Sequence, residues 1–81
     1  MPSAKAMTFC TDYATHCGFT ADKRYDDMAD CLKEYDMFPA RQMCKEMHLG
    51  FVKMKMGTAD YEPYKTMHCP HATSLDGNCM Q

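Results

Sequence analysis

Apolar residues recur along the first seventeen positions at the spacing of a helix rather than a strand. Met7, Cys10, Tyr13, Ala14 and Cys17 fall largely at steps of three and four, which predicts a helix over about 3–17 with Gly18 as its stop. A second periodic run covers about 21–36. Tyr25, Met28, Ala29, Leu32 and Tyr35 form its apolar face, Cys31 lies beside them, and Thr20 is the expected N-cap. A third run opens at Pro39, a favoured first helical position, and ends at Gly57. Met43, Cys44, Met47, His48 and Phe51 share one of its faces, and Arg41, Lys45, Lys53 and Lys55 make its polar side. A short fourth helix is expected over 63–68, and 73–78 reads as a loop turning at Asp76-Gly77. β-branched residues are scarce, so no strand competes. The fold class is all-α, with residues 1–81 forming a single cysteine-rich helical domain of three main helices plus a short fourth.

Composition changes this picture in one respect. The chain has no Ile or Trp, a single Val and three Leu, but ten Met. Methionine is therefore expected to fill core positions, and it specifies a unique core poorly. A chain of 81 residues builds a marginal core in any case, and six cysteines are the usual remedy. The expected form is a bundle stapled by three disulfides in an oxidising compartment: secreted or periplasmic, or an organelle lumen or intermembrane space.

Cys10 and Cys17 are separated by seven residues, about 10.5 Å along one helix, too far for a mutual bridge. If the first two segments form a hairpin around Gly18, Cys10 and Cys31 lie at the same level and pair. The same levels on segments three and four pair Cys44 with Cys69, which leaves Cys17 for Cys79. The alternative, Cys17–Cys69 with Cys44–Cys79, stays open. No Cys-x2-Cys, twin Cys-x9-Cys or Cys-x-x-Cys-His spacing occurs, which excludes thioredoxin-like, hairpin-type and haem-attachment readings.

Nine basic against eleven acidic side chains give no field directed at nucleic acid. The acidic residues concentrate on segment two and the basic ones on segment three, which reads as two solvated faces or, more sharply, a charged docking surface. No apolar run is long enough to span a bilayer. No basic start followed by an apolar stretch is present, so export is expected to rely on a removed segment or on another route.

The cysteines also carry a resemblance. Cys10 and Cys17, then Cys31, then Cys44 with His48, then His68-Cys69-Pro70-His71-Ala72, and finally Gly77 and Cys79 are similar to a small cysteine-rich module of exported proteins. That module occurs in bacteria, myxobacteria especially, and in some marine eukaryotes. Most of the chain is covered, and the His-Cys-Pro-His-Ala element is the specific part. The bacterial form has two further cysteines, one a turn before Cys10 and one where Tyr35 stands. Their joint absence resembles the loss of one bridge, with Cys10–Cys31 as the surviving rung. The resemblance implies an exported, disulfide-bonded scaffold and implies no activity.

Candidate chemistry centres on His48, His68 and His71. With Cys44 and Cys69 joined or close, their rings converge. The expected role is structural, with the rings hydrogen-bonded around the bridges and no cofactor. Copper is the alternative, with Met43, Met47, Met54 or Met67 as soft neighbours. Zinc would need reduced Cys44 and Cys69 beside His48 and His71. Met54-Lys-Met56 resembles a copper-carrier motif only superficially, and His16 reads as structural. No residue is expected to be catalytic: six cysteines leave no spare thiol, and His68 beside Cys69 does not orient a base. The expected function is a non-catalytic exported or lumenal protein-interaction module, or an accessory subunit of a larger assembly. Its partner would be another protein. The alternatives are a copper-handling protein and a secreted signalling peptide.

Overall fold

The computed structural model of the chain describes residues 1–19, 22–73 and 79, and within them every regular element is helical. Helix α1 spans Ala4–His16, α2 Met28–Met37, α3 Gln42–Met54 and α4 Tyr61–His71, with a 3-10 turn at Pro39–Arg41 leading into α3. The helix α1 packs along α2, α3 packs along α4, and α1 also meets α3. The fold is therefore two helical hairpins laid together.

Capping explains where the helices start. Ser3 caps α1, its Oγ accepting from the Ala6 amide at 3.1 Å. The same residue donates from Oγ and its own amide to the Asp36 carboxylate, at 2.6 and 2.9 Å, which ties the start of α1 to the end of α2. These two bonds hold the Asp36 carboxyl below the usual carboxylate range. Gly18 stops α1 as expected, with φ of 74° and its amide on the Tyr13 carbonyl.

The second helix begins later than its periodicity suggests. The cap is Asp27, whose carboxylate accepts from the Asp30 amide at 2.8 Å, while Asp30 accepts from the Asp26 amide at 3.0 Å. Adjacent aspartates favour this cap over a helix interior, and Lys23 at φ 60° already breaks the run. Thr20 and Ala21 lie outside the described residues. The fourth helix is longer than expected and runs through Pro70.

Among the described residues no methionine is fully buried, and only Met28 packs, partly covered, against the core. Met7, Met37, Met43, Met47, Met54, Met56 and Met67 are all exposed. The interior is built from Phe9, Tyr13, Tyr25, Tyr35, Leu49 and Val52, with small residues and five of the six cysteines among them. Tyr13 is the hub. Its ring meets Tyr25 edge-on at 5.0 Å and Phe19 at 5.9 Å, and its hydroxyl donates to the Cys69 carbonyl at 2.9 Å. Tyr25 donates to the Ala72 carbonyl at 3.1 Å, so two buried tyrosines hold the end of α4. Burial of tyrosine is affordable because each phenol finds a partner.

The buried face of α3 is also rotated from the expected one. Lys45, His48, Leu49 and Val52 are buried, while Met43 and Met47 face solvent. Lys45, expected on the polar side, is fully covered and donates from Nζ to the Tyr25 hydroxyl at 3.1 Å. Its ammonium also lies over the Tyr25 and Phe38 rings, at 5.6 and 6.0 Å to the centroids. Burial pulls its pKa down to about 8, against the attraction of Glu34.

A pH optimum follows. Between pH 8 and about 10, the folded protein releases the Lys45 proton while the unfolded chain keeps it, so stability rises with pH. Above about pH 10 the unfolded tyrosines ionise while buried Tyr13 and Tyr25, with pKa values raised by burial, do not, and stability falls. Urea melts between pH 7 and 11 should show a maximum near pH 10. The rising limb has a slope of at most about 1.4 kcal/mol per pH unit and disappears in Lys45→Met. A monotonic decline in the native protein would contradict the burial of Lys45.

The cysteines pair as Cys10–Cys31, Cys17–Cys69 and Cys44–Cys79. The pairs Cys44–Cys69 and Cys17–Cys79 do not form. Cys69 lies in the last turn of α4, on the side held against α1 by the Tyr13 hydroxyl, so Cys17 at the end of α1 is the sulfur within reach. Cys44, in the first turn of α3, is left to take Cys79. The expected loop at 73–78 lies almost wholly outside the described residues.

Candidate functional site: three histidines beside a disulfide

Helix α3 supplies His48 and α4 supplies His68 and His71, and the antiparallel packing of these helices brings the rings together. His68 and His71 are three apart, hence neighbours on one face of α4. One ring nitrogen from each of the three lies within 4.8 Å of the other two. The ring centroids are 5.4 Å apart for His48 and His68, 5.2 Å for His48 and His71, and 5.8 Å for His68 and His71. The convergence therefore comes from helix packing and not from a Cys44–Cys69 bridge.

The Nδ1 atoms of His48 and His68 are 3.1 Å apart. One of these nitrogens presents a lone pair to the other, so the pair cannot hold two protons at this distance. The spacing is close to the separation of about 3.3 Å between two imidazole nitrogens on a tetrahedral ion with bonds of about 2.0–2.1 Å. Burial, with His71 as a smaller contribution, lowers the His68 pKa and favours the neutral, ligating form of the ring. Phe51 and Tyr64 wall the cluster, with centroids 4.9 and 5.2 Å from the His68 ring.

Two sulfurs stand beside His48. The Sγ atoms of Cys44 and Cys79 and a ring nitrogen of His48 also lie within 4.8 Å of one another. The set Cys44, His48, Cys69 and His71 is not assembled, since Cys69 is buried and bonded to Cys17. Cys79 takes its place. Sequence spacing missed this because the pairing was set by assumed levels, although the alternative pairing already contained it.

Met43, Met47 and Met54 recur at steps of four and seven, so they form an exposed stripe along α3. On the helical circuit, Phe51 and Cys44 fall between that stripe and His48. His16 is elsewhere, its Nδ1 2.8 Å from the Tyr61 hydroxyl. A groove of about 380 Å³ runs between α1 and α3, lined by Phe9, Asp12, Glu46, Leu49 and Lys53 among others, and contains no histidine. The Lys53–Asp12 ion pair at 2.8 Å crosses it. No protein-family model, no curated protein and no solved structure matches the chain.

Proposed function

We propose that this protein is a non-catalytic copper-binding module of an oxidising compartment, holding one ion on His48, His68 and His71. The observation that carries the reading is the convergence of three imidazoles, two of them with nitrogens 3.1 Å apart. Three bridges that use all six cysteines fit an oxidising compartment. They leave imidazole and thioether as the soft donors. Copper heads the divalent affinity order for nitrogen sites, and cuprous ion also accepts thioether. The methionine stripe on α3 lies further round the helix, with Phe51 and Cys44 between it and His48, so the imidazoles alone hold the ion. No helix among the described residues is long and apolar enough to cross a membrane.

Titration of the oxidised protein with copper, against a competing chelator, tests this. One ion per chain is expected, held on the order of 100-fold more tightly than by His48→Ala or His68→Ala. Zinc should bind more weakly at the same residues. Affinity unchanged by both substitutions would remove the reading. The protein-interaction module would then be favoured, because it rests on a different observation: methionines that lie on the surface instead of in the core.

A further inference from the structure

Cys44 is the most open of the six cysteines, and it is half-buried. Cys10, Cys31 and Cys69 are fully covered, and Cys17 and Cys79 are nearly so. The bridge with the most accessible sulfur, Cys44–Cys79, is also the one that adjoins His48. We infer that this disulfide is a redox gate on the metal site, whose opening by a dithiol reductant creates a thiolate–imidazole zinc site from Cys44, Cys79, His48 and one of His68 or His71. The inference rests on the histidine cluster being a metal site.

Three observations support it. Cys44, Cys79 and His48 already have their ligand atoms within 4.8 Å of one another, and His48 belongs to both triads. The two triads share His48 but are separate sets in the oxidised protein, so opening the bridge frees two sulfurs beside His48 and the fourth ligand, His68 or His71, has to turn toward them. Two sulfurs and two nitrogens are a common structural zinc set, whereas three nitrogens alone leave a position open. Finally, the scaffold does not depend on this bridge to hold the histidines. The Cys10–Cys31 bridge joins α1 to α2, Cys17–Cys69 joins the end of α1 to α4, and α3 packs directly on α4.

The chemistry balances as thiol–disulfide exchange. One thiolate of the dithiol attacks Cys44 Sγ, the accessible sulfur. The Cys44–Cys79 bond breaks and Cys79 leaves as thiolate. The second thiol of the reductant then attacks the mixed disulfide and releases Cys44. The dithiol gives up two electrons and two protons and becomes a cyclic disulfide, while Cys44 and Cys79 become thiols. Binding a zinc ion releases their two protons to solvent. Excess cyclic disulfide reverses the exchange: it takes up the two electrons to become dithiol, the Cys44–Cys79 bond re-forms, and the ion is released.

The test uses the full chain, one equivalent of dithiol removed by gel filtration, and zinc as the probe. Alkylation mapping should place the two new thiols at Cys44 and Cys79. Zinc affinity should rise on the order of 100-fold or more over the oxidised protein. Cobalt in place of zinc should give the near-ultraviolet thiolate charge-transfer band and the visible bands of a tetrahedral ion. A Cys44→Ser/Cys79→Ser protein treated identically should show neither gain. Opening of another bridge first, or zinc affinity unchanged after reduction, would overturn the inference. Copper uptake by the oxidised samples reads the histidine site separately. Histidine-dependent copper binding without the zinc gain defeats the gate alone, and loss of both defeats the gate and the copper reading together.

Discussion

Excess reductant is expected to unfold this protein at room temperature. The three disulfides join residues 21, 52 and 35 apart. Loop-closure entropy assigns each about 3–4 kcal/mol. Their sum is comparable to the whole stability of a small domain, about 5–15 kcal/mol. The exposed methionines sharpen the expectation, because apolar surface that stays in water contributes nothing to the core. Far-ultraviolet circular dichroism should lose most of its helical signal on full reduction, or the melting temperature should fall by tens of degrees. A reduced protein that melts within about 5 °C of the oxidised one would mean that the aromatic core suffices alone.

Truncation of Tyr13 is the second large effect. The side chain is fully buried, packs against Phe9, Phe19 and Tyr25, and bonds the Cys69 carbonyl. Tyr13→Ala should destabilise by about 3–5 kcal/mol, the range for deleting a large aromatic from a core. Tyr13→Phe keeps the ring and removes the donor. The Cys69 carbonyl still accepts from the Ala72 amide at 3.3 Å, so the expected loss is about 1 kcal/mol. Denaturant melts of the two variants should differ by at least about 2 kcal/mol. Equal losses would mean that the hydroxyl, not the ring, is what the core requires.

The helical class was legible because periodicity and scarce β-branching agree along the whole chain. The Cys10–Cys31 bridge follows from a hairpin whose turn, at Gly18, is visible as a helix stop. What was not legible has local causes. The start of α2 is set by Asp26, Asp27 and Asp30 bonding one another's amides, a competition that apolar spacing does not register. The face of α3 was misread because Met and Lys exchange their usual places there. Met43 and Met47 look apolar but lie in solvent, and Lys45 looks polar but ends on the Tyr25 hydroxyl. Tyr25 is buried, as its place on the apolar face of the second run predicts, but it sits ahead of α2 and outside any helix. The histidines were identifiable as a group from Cys44-x3-His48 and His68-x2-His71. Cys79 beside His48 was not, since it depends on the path of a loop that spacing leaves open.

The copper reading and its redox gate both depend on the three imidazoles sharing one ion. A crystal of the oxidised protein soaked with copper, with anomalous differences recorded at the copper edge, tests this most directly. The account predicts one peak about 2.0–2.1 Å from a ring nitrogen of each of His48, His68 and His71. A peak on the Met43–Met47 surface alone, or none between the three rings, would contradict it.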